Sequence, residues 1–312
     1  IEVDAYDENI ETMPTERKVE ILKDIESLCY AFDPAISKVG HVGYSDSLDK
    51  VVIANTNGLI LERKSTNFSV SVEVIAERGG EVETGSEWFE SCKMEEIDPP
   101  SSIARTACEK AISLLGGSQV PSEDVPVIFD RDTGFAVLLY LFEMIRGENI
   151  ATGISLFKDR LGDEIGSPLV SIVDDATLAG RVGSREFDDE GVQSRRNVVV
   201  DKGRLNGFLF DIRTAQRCGA SSTGNANRDD FRNLPGVDVT NFYLEPGDTS
   251  RQEIIRSTER GLLVISLAGW WVSINPSTGD FSSGAKGLWL EGGEIAYPVK
   301  GVTIASNIVD IL

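Results

Sequence analysis

Turn-forming sequences between short apolar runs are the feature that most restricts how this chain can fold. Val51–Ala54 and Leu59–Leu61 flank Asn55–Gly58, an arrangement typical of a β-hairpin, and Asp201–Gly203 lies between two apolar runs in the same way. Apolar and polar residues alternate over Phe68–Val74, which predicts a half-buried strand. Strands joined by tight turns pair antiparallel, so we expect sheets built largely from sequence neighbours.

Helices occur in blocks beside these strands rather than alternating with them. Apolar spacing predicts a helix over Glu16–Phe32, a second after Pro99–Pro100 and a strongly apolar third over Thr133–Arg146. This order favours an α+β fold over a doubly wound parallel sheet. We expect an N-terminal α+β domain at residues 1–117, with a helix and an antiparallel sheet. Residues 118–312 are expected to form a β-rich, barrel-like domain with mixed or antiparallel strands and helices.

The acidic balance of the chain excludes several classes of partner. Thirty basic and 51 acidic residues among 312 give a formal net charge of -21, which repels nucleic-acid phosphates and anionic lipid heads. The longest apolar runs, such as Phe135–Phe142, are far shorter than the roughly 20 residues that span a bilayer. We therefore expect no direct nucleic-acid partner and no membrane span. The chain starts at Ile1 rather than Met, which predicts a fragment or a processed form.

Cysteine and histidine usage restricts the compartment and the chemistry. No C-x-x-C pair is present, which is typical of a reducing compartment, so we expect free thiols and a cytoplasmic protein. The cysteines are Cys29, Cys92, Cys108 and Cys218. The single histidine, His41, would have to serve any histidine-dependent triad, and a two-histidine zinc motif cannot form. His41 has no carboxylate at motif spacing, so we expect a structural or surface role.

The run Phe187–Gly191, FDDEG, is the densest group of carboxylates in the sequence. In an extended conformation Asp188 and Glu190 would share a face about 7 Å apart, which suits an acid and a base flanking a water, or a hard cation. The alternative is structural: one carboxylate pairs with a nearby arginine, another caps a turn, and the final glycine supplies an unusual backbone angle. The arginines close in sequence are Arg185, Arg195 and Arg196.

A second candidate is the polar loop Ser221–Arg228. Its hydroxyls, amides and backbone N–H groups are able to hold an anion or a peptide main chain, and the alternative is a plain connector. The residues taken as candidates are Ser222, Thr223, Gly224 and Asn225.

Adjacent tryptophans form a third candidate. Neighbouring residues in a strand point to opposite faces, so one of Trp270 and Trp271 is expected in the core and the other at a partner surface. With Trp289, they are also candidates for stacking on a sugar or a base.

Several segments, in their order along the chain, carry a resemblance to a known family. They are IVDDATLAGRVGSREFDDEGV at Ile172–Val192, DKGRLNGFLFDIRTAQRCG at Asp201–Gly219, STGNANR at Ser222–Arg228 and TGDFSSGAKGLWLEGGEIAYPVKGVTIASNI at Thr278–Ile308. Together with the upstream TNFSVSVEVIAERGGEVETGSEWFESC they cover nearly the whole chain. The chain resembles the PmbA/TldD family, also called TldE/TldD and once described as modulators of DNA gyrase.

The resemblance implies a cytoplasmic, two-subunit metallopeptidase that cleaves or matures unfolded peptides. In the catalytic TldD-type subunit, an H-E-x-x-x-H helix and a later Cys hold zinc, and the Glu is the general base. The corresponding helix here has Tyr140 and Ile145 at the histidine positions and Leu141 at the Glu position. No zinc ligand carries over, so neither a catalytic nor a metal-binding residue is assigned. SLFKDRLG and TGDFSSGAKG resemble the PmbA (TldE) branch.

The sequence thus favours a non-catalytic PmbA (TldE)-type subunit, inactive alone, that pairs with a zinc-bearing TldD-type subunit and helps to enclose unfolded peptide. Two alternatives stay open. One is a metal-independent hydrolase that uses Asp188, Asp189 and Glu190. The other is a free-standing homodimeric peptide-binding protein.

Overall fold

The computed structural model describes residues 2–268 and 275–312, and it has an α+β fold. Its first region consists of helices, one three-stranded sheet and a short 3-10 turn. In chain order these are α1 (Glu8–Thr12), α2 (Thr15–Phe32), β1 (Ile36–Ala54), β2 (Ile60–Arg78), β3 (Glu81–Ser91), the 3-10 turn Met94–Glu96 and α3 (Pro100–Ser113).

The first sheet has the antiparallel order β1-β2-β3, and two helices cover one of its faces. The predicted hairpin turn at Asn55–Gly58 joins β1 to β2, so that prediction is confirmed. The alternating residues from Phe68 to Val74 are buried against Ile25 of α2 and Ile103 of α3. Gly85 lets α3 lie directly on β3, because a Cβ there would stand 2.2 Å from the carbonyl oxygen of Ala107.

The second region contains shorter elements and three further sheets. In chain order these are β4 (Val127–Phe129), α4 (Arg131–Ile145), α5 (Gly147–Thr152), β5 (Ile172–Asp175), β6 (Arg196–Asp201), β7 (Arg204–Leu205), α6 (Ile212–Cys218), β8 (Ala226–Asn227), β9 (Gly236–Val237), β10 (Phe242–Leu244), α7 (Arg251–Ser257), β11 (Arg260–Ala268), β12 (Asp280–Glu291), β13 (Glu294–Asn307) and α8 (Ile308–Ile311).

These strands form open sheets with the orders β10-β5-β6-β7, β13-β12-β11-β4 and β8-β9. All pairs are antiparallel except β4 with β11, which is parallel. The α+β prediction is confirmed. The barrel-like arrangement is not found among the described strands, because the two outer strands of each four-stranded sheet are not paired with each other.

Helix α4 is the centre of the core of the second region. Leu141, Met144 and Ile145 are fully buried and pack with residues of β5, β6 and the chain after β7. Ion pairs join the two regions: Lys286 Nζ lies 2.7 Å from Glu83 Oε2, and other contacts follow the same side of β3. These other contacts are Lys300 with Glu81 at 3.1 Å and Lys110 with Asp132 at 2.6 Å.

The sequence predicts free cysteine thiols and no membrane span. All four cysteines are free; Cys29, Cys92 and Cys108 are buried, and Cys218 is exposed. Within residues 2–268 and 275–312, no helix combines the length and the apolar character needed to cross a membrane.

Candidate functional site

The acidic run Phe187–Gly191 forms a tight turn. Phe187 bridges to Gln193, the Asp188 N–H donates to the Val192 carbonyl at 2.9 Å, and Gly191 adopts a φ of 81°. Because this left-handed φ disfavours any side chain, a glycine ends the turn. The carboxylates therefore do not alternate along an extended strand.

The Asp188 carboxylate holds this turn together. It accepts backbone N–H groups from Glu190 at 3.0 Å, Val192 at 2.9 Å and Ala226 at 3.0 Å, and Asp188 is fully buried. Three charge-assisted bonds occupy most of the acceptor sites of one carboxylate. Asp188 thus joins the acidic turn to the start of β8.

Asp189 connects the turn to the first region. Its Oδ1 lies 2.7 Å from Nη2 of Arg63 on β2, and its Oδ2 accepts the Arg228 N–H at 2.7 Å. Arg63 also donates to the Phe187 carbonyl and lies over the Phe187 ring. Folding therefore pairs Asp189 with an arginine distant in sequence rather than with Arg185, Arg195 or Arg196.

Glu190 lies at the start of α6. Its Oε2 accepts the Ile212 N–H at 2.7 Å, while Asp211 caps the same helix through the N–H of Thr214. Burial, followed by the charges of Asp211 and Asp188, raises the pKa of Glu190, and the Ile212 bond opposes that rise. The side chain is bound to backbone and, like that of Asp189, is only partly buried.

The loop Ser222–Asn225 is held by the strand-like segment after β7. Ser222 Oγ and Thr223 Oγ1 donate to the Phe210 carbonyl at 3.2 and 3.1 Å, and the Phe210 N–H donates to Thr223 Oγ1 at 2.7 Å. Gly224 has a φ of 80°, and a Cβ there would meet the Gln193 carbonyl oxygen at 3.0 Å. Ser222, Thr223 and Gly224 therefore serve the packing of the loop.

Asn225 is buried and lies in a polar network beneath the acidic turn. Its Nδ2 donates to Asp174 Oδ2 at 2.7 Å, and Asp174 Oδ1 accepts the Thr240 N–H at 2.6 Å. Burial raises the pKa of Asp174, and these two bonds oppose the rise. The next residue, Ala226, bonds to both Asp188 and Asp189. The structure thus brings the two sequence-predicted polar segments together.

The zinc-helix positions lie in α4 and do not fit a metal. Leu141 and Ile145 have no ligand atoms and are 0% exposed. Tyr140 is 7% exposed, its ring centroid lies 5.4 Å from that of Phe281, and burial raises its pKa, which keeps the hydroxyl protonated at neutral pH. Over residues 2–268 and 275–312, no three His, Cys, Asp or Glu side chains stand close enough to hold a metal ion. His41 is exposed on β1.

A cleft of about 690 Å³ lies between β3, α4 and the end of β11. Trp88 of β3 and Phe135 of α4 line it, and both are nearly half exposed. Lys110 bonds to Glu87 at 2.7 Å and to Asp132 at 2.6 Å along its side. Sequence reasoning missed this cleft because its aromatic residues come from distant segments. Trp88, at a polar position of an alternating run, was the available signal.

The tryptophan predictions have mixed outcomes. Trp270 and Trp271 lie outside the described residues. Trp289 is 1% exposed and stacks on Tyr297, so it belongs to the core and not to a surface that stacks on a sugar or a base.

Two domain models match the chain: the PmbA/TldA metallopeptidase central domain over residues 8–115 and the C-terminal domain over residues 122–312. These matches define a metallopeptidase-related protein. The chain belongs to the PmbA/TldD family, as its ordered motifs predicted.

Relatives of both types in the family match it. The chain is 29% identical over 317 residues to the metalloprotease TldD homolog of Haemophilus influenzae, covering 97% of this chain and 64% of the relative. It is 28% identical over 298 residues to the metalloprotease PmbA homolog of that organism, covering 95% and 63%. The chain thus spans less than two thirds of the length of these relatives, and the two identities do not separate the branches.

Solved structures agree with the fold. A Thermotoga maritima protein, described as a candidate modulator of a DNA gyrase, has a TM-score of 0.92 at 31% identity, covering 99% of this chain and 70% of that one. TldE from Thermococcus kodakarensis has a TM-score of 0.87 at 24% identity, covering 97% and 68%, and shows the fold alone.

Proposed function

We propose that this chain is a non-catalytic, PmbA (TldE)-type subunit of a two-subunit, cytoplasmic zinc peptidase that cleaves or matures unfolded peptides. One observation carries the proposal: the helix positions corresponding to a zinc site hold Tyr140, Leu141 and Ile145, which are buried among apolar side chains. First-row metal sites rely on His or Cys donors, and the sequence of α4, Arg131–Ile145, contains neither residue type. Zinc and the general base would belong to the TldD-type partner.

The contribution of this chain would be to hold the peptide. The sequence predicts two domains, at residues 1–117 and 118–312. The 690 Å³ cleft lies where β3 of the first meets α4 of the second. β3 is the outer strand of the described sheet, and its exposed face presents Thr84, Ser86 and Trp88 to the cleft. An unfolded peptide would add to such an edge through main-chain hydrogen bonds, which give affinity with little sequence choice.

The charge of the chain argues against a direct role on DNA. A net charge of -21 repels a phosphate backbone, so an effect on a DNA gyrase would arise through a cleaved protein rather than through DNA binding.

The test is reconstitution with a TldD-type counterpart from the same cell. The full-length protein and that counterpart are mixed, association is followed by light scattering, and cleavage of an unfolded peptide is measured. We expect a one-to-one complex whose activity exceeds that of the counterpart alone, while this chain alone is inactive. Absence of association, or equal activity with and without this chain, would contradict the proposal.

A matched pair of variants tests the cleft. Trp88→Ala removes an aromatic side chain that lines the cleft, whereas Val82→Ala changes an exposed residue on the same face of β3 outside the cleft. We expect the KM for peptide to rise several-fold with Trp88→Ala and to stay unchanged with Val82→Ala, with association intact in both. Equal effects of the two variants would remove the cleft from the proposal.

The reconstitution experiment also tests one of the two alternatives. A homodimeric peptide-binding protein would dimerise and bind peptide without the counterpart. A hydrolase using Asp188, Asp189 and Glu190 stays an untested prediction, and the backbone bonds of these carboxylates give it little geometric support.

A further inference from the structure

A small polar pocket lies between β2 and the segment that precedes the acidic turn, away from the peptide cleft. Its volume is about 190 Å³, and its lining includes three cations: Arg63, which pairs with Asp189, Lys64, which pairs with Glu11, and Arg185. Asn227 adds an amide donor to the wall, next to Ser184, whose own hydroxyl donates to the Leu178 carbonyl. Glu186 is the single acidic residue in the lining among the described residues, so the donor set suits an anion.

Arg185 is the residue of this pocket whose hydrogen-bonding groups are least satisfied by the described chain. It is 9% exposed, and its guanidinium makes one hydrogen bond to the described chain, from Nη2 to the Gly224 carbonyl at 3.4 Å. Its Nε is buried and has no partner, and no ion pair within 4.0 Å among the described residues includes it. A guanidinium offers five N–H donors, so most of the hydrogen-bonding capacity of Arg185 is unused.

The carboxylates nearest to Arg185 are committed to other donors. Asp174 accepts from Thr240 and Asn225, and Asp188 accepts three backbone N–H groups. Burial, together with the charge of Arg63, lowers the pKa of the Arg185 guanidinium, and the charges of Asp189, Asp188 and Asp174 oppose that shift. Arg185 makes no direct ion pair with these carboxylates, so an anion next to its guanidinium would supply acceptors that the described chain does not.

We propose that this pocket binds a carboxylate group, with the Arg185 guanidinium as its principal donor and Ser184 and Asn227 beside it. The planar fork of an arginine matches a carboxylate through two parallel hydrogen bonds. The volume admits a carboxylate with a few attached atoms, and the acidic Glu186 disfavours a dianion such as phosphate. The carboxylate comes from a small organic acid or from the C-terminus of a peptide. This inference does not rest on pairing with a TldD-type subunit.

Calorimetric titration of the full-length protein tests the proposal with acetate, succinate, inorganic phosphate, and a tripeptide with either a free or an amidated C-terminus. The variants are Arg185→Met and, as a matched control, Arg181→Met, an exposed arginine four residues earlier whose side chain is outside the pocket. We expect carboxylates to bind, at least tenfold more weakly to Arg185→Met and equally to Arg181→Met. Tenfold preference for the free over the amidated tripeptide would assign the peptide end; binding of the small acids alone would assign those.

Three results would overturn the proposal: no carboxylate binds, phosphate binds more tightly than every carboxylate, or Arg185→Met binds as the unaltered protein does. Removal of an unpaired buried charge should leave the Tm of the ligand-free variant unchanged or higher. If Arg185→Met nevertheless fails to fold, nuclear magnetic resonance of the unaltered protein decides. The Arg185 Nε–H signal is assigned as the one that is missing from the spectrum of Arg185→Lys. This signal should shift on addition of acetate to the unaltered protein, and an unmoved signal at saturation would contradict binding at Arg185.

Discussion

The two regions of the molecule are stabilised in different ways. In residues 2–117, strands of up to 19 residues pack one alternating apolar face on two helices. Around the acidic turn, strands of two to six residues are connected by buried carboxylates and amides that bond to backbone. Long strands satisfy their own backbone, whereas short strands leave N–H groups that side chains must satisfy. Substitutions should therefore have opposite patterns of sensitivity in the two regions.

The largest expected effect is in the first sheet. Phe68 is 1% exposed, with ring centroids 6.0 Å from Tyr44 and 5.8 Å from Phe89. Phe68→Ala should lower the free energy of unfolding by about 3–5 kcal/mol, because it removes transfer energy and leaves a cavity. Urea denaturation measures this change in the free energy of unfolding. The control is Leu48→Ala, at an exposed position of β1, which should change the free energy of unfolding by roughly 0.5 kcal/mol or less. Equal effects would mean that apolar packing does not dominate this sheet.

The acidic turn should be nearly as sensitive to the loss of one carboxylate. Asp188→Ala leaves three backbone N–H groups without their acceptor, so it should cost about 2–4 kcal/mol. Asp201→Ala, at an exposed aspartate at the end of β6, is the matched control and should be near neutral. If Asp188→Ala is also near neutral, the contrast between the two regions is wrong.

The ion pair between the regions has an intermediate expected effect. Arg63 and Asp189 have side chains only 14% and 10% exposed, and a double-mutant cycle with Arg63→Met and Asp189→Asn should give a coupling of about 1–2 kcal/mol. The same cycle on the exposed pair Arg17 and Glu20 should give about 0.3 kcal/mol. A coupling no larger than this control would show that the turn and β2 are energetically independent.

The two regions also differ in how much their sequence could predict. The helix predicted over Glu16–Phe32 is α2, and the hairpin around Asn55–Gly58 forms as expected, because local periodicity and turn residues determine both. The apolar run after Asp201–Gly203 was expected to form the second strand of a hairpin, yet β7 ends at Leu205. Beyond it, the Leu209 N–H donates to the carbonyl of Ile145 in α4, a tertiary contact that local pattern does not encode.

The candidate site was predictable in composition and not in geometry. The motifs singled out the acidic run and the polar loop, and in the structure these two segments meet through Ala226. The partner of Asp189, however, is Arg63, 126 residues away, and no spacing rule indicates it. Sequence-local arginines such as Arg185 were the natural candidates, but Arg185 is directed into the neighbouring pocket instead.

The smallest predicted effect shows whether burial or the hydrogen bond from Ile212 dominates the pKa of Glu190. Its pKa is raised above the ordinary 4.5, chiefly by burial, although it accepts the Ile212 N–H at the start of α6. The folded state therefore binds a proton more readily than the unfolded state does, and stability is lost as pH rises through the raised pKa. Glu190→Gln keeps an acceptor for Ile212 and does not titrate.

The free energy of unfolding of Glu190→Gln minus that of the unaltered protein should thus be near zero below pH 4.5. This difference should increase with pH to a plateau of about a few tenths of a kcal/mol, since solvent screens this partly exposed group. Urea denaturation at a series of pH values measures the difference. A difference that changes in favour of the unaltered protein as pH rises would mean that the attraction of the α6 N-terminus for the anion exceeds burial and the repulsion from Asp188 and Asp211. The negative charge of Glu190 would then stabilise the acidic turn. In that case the region around the turn would not carry the electrostatic cost that distinguishes it from the apolar sheet of residues 2–117.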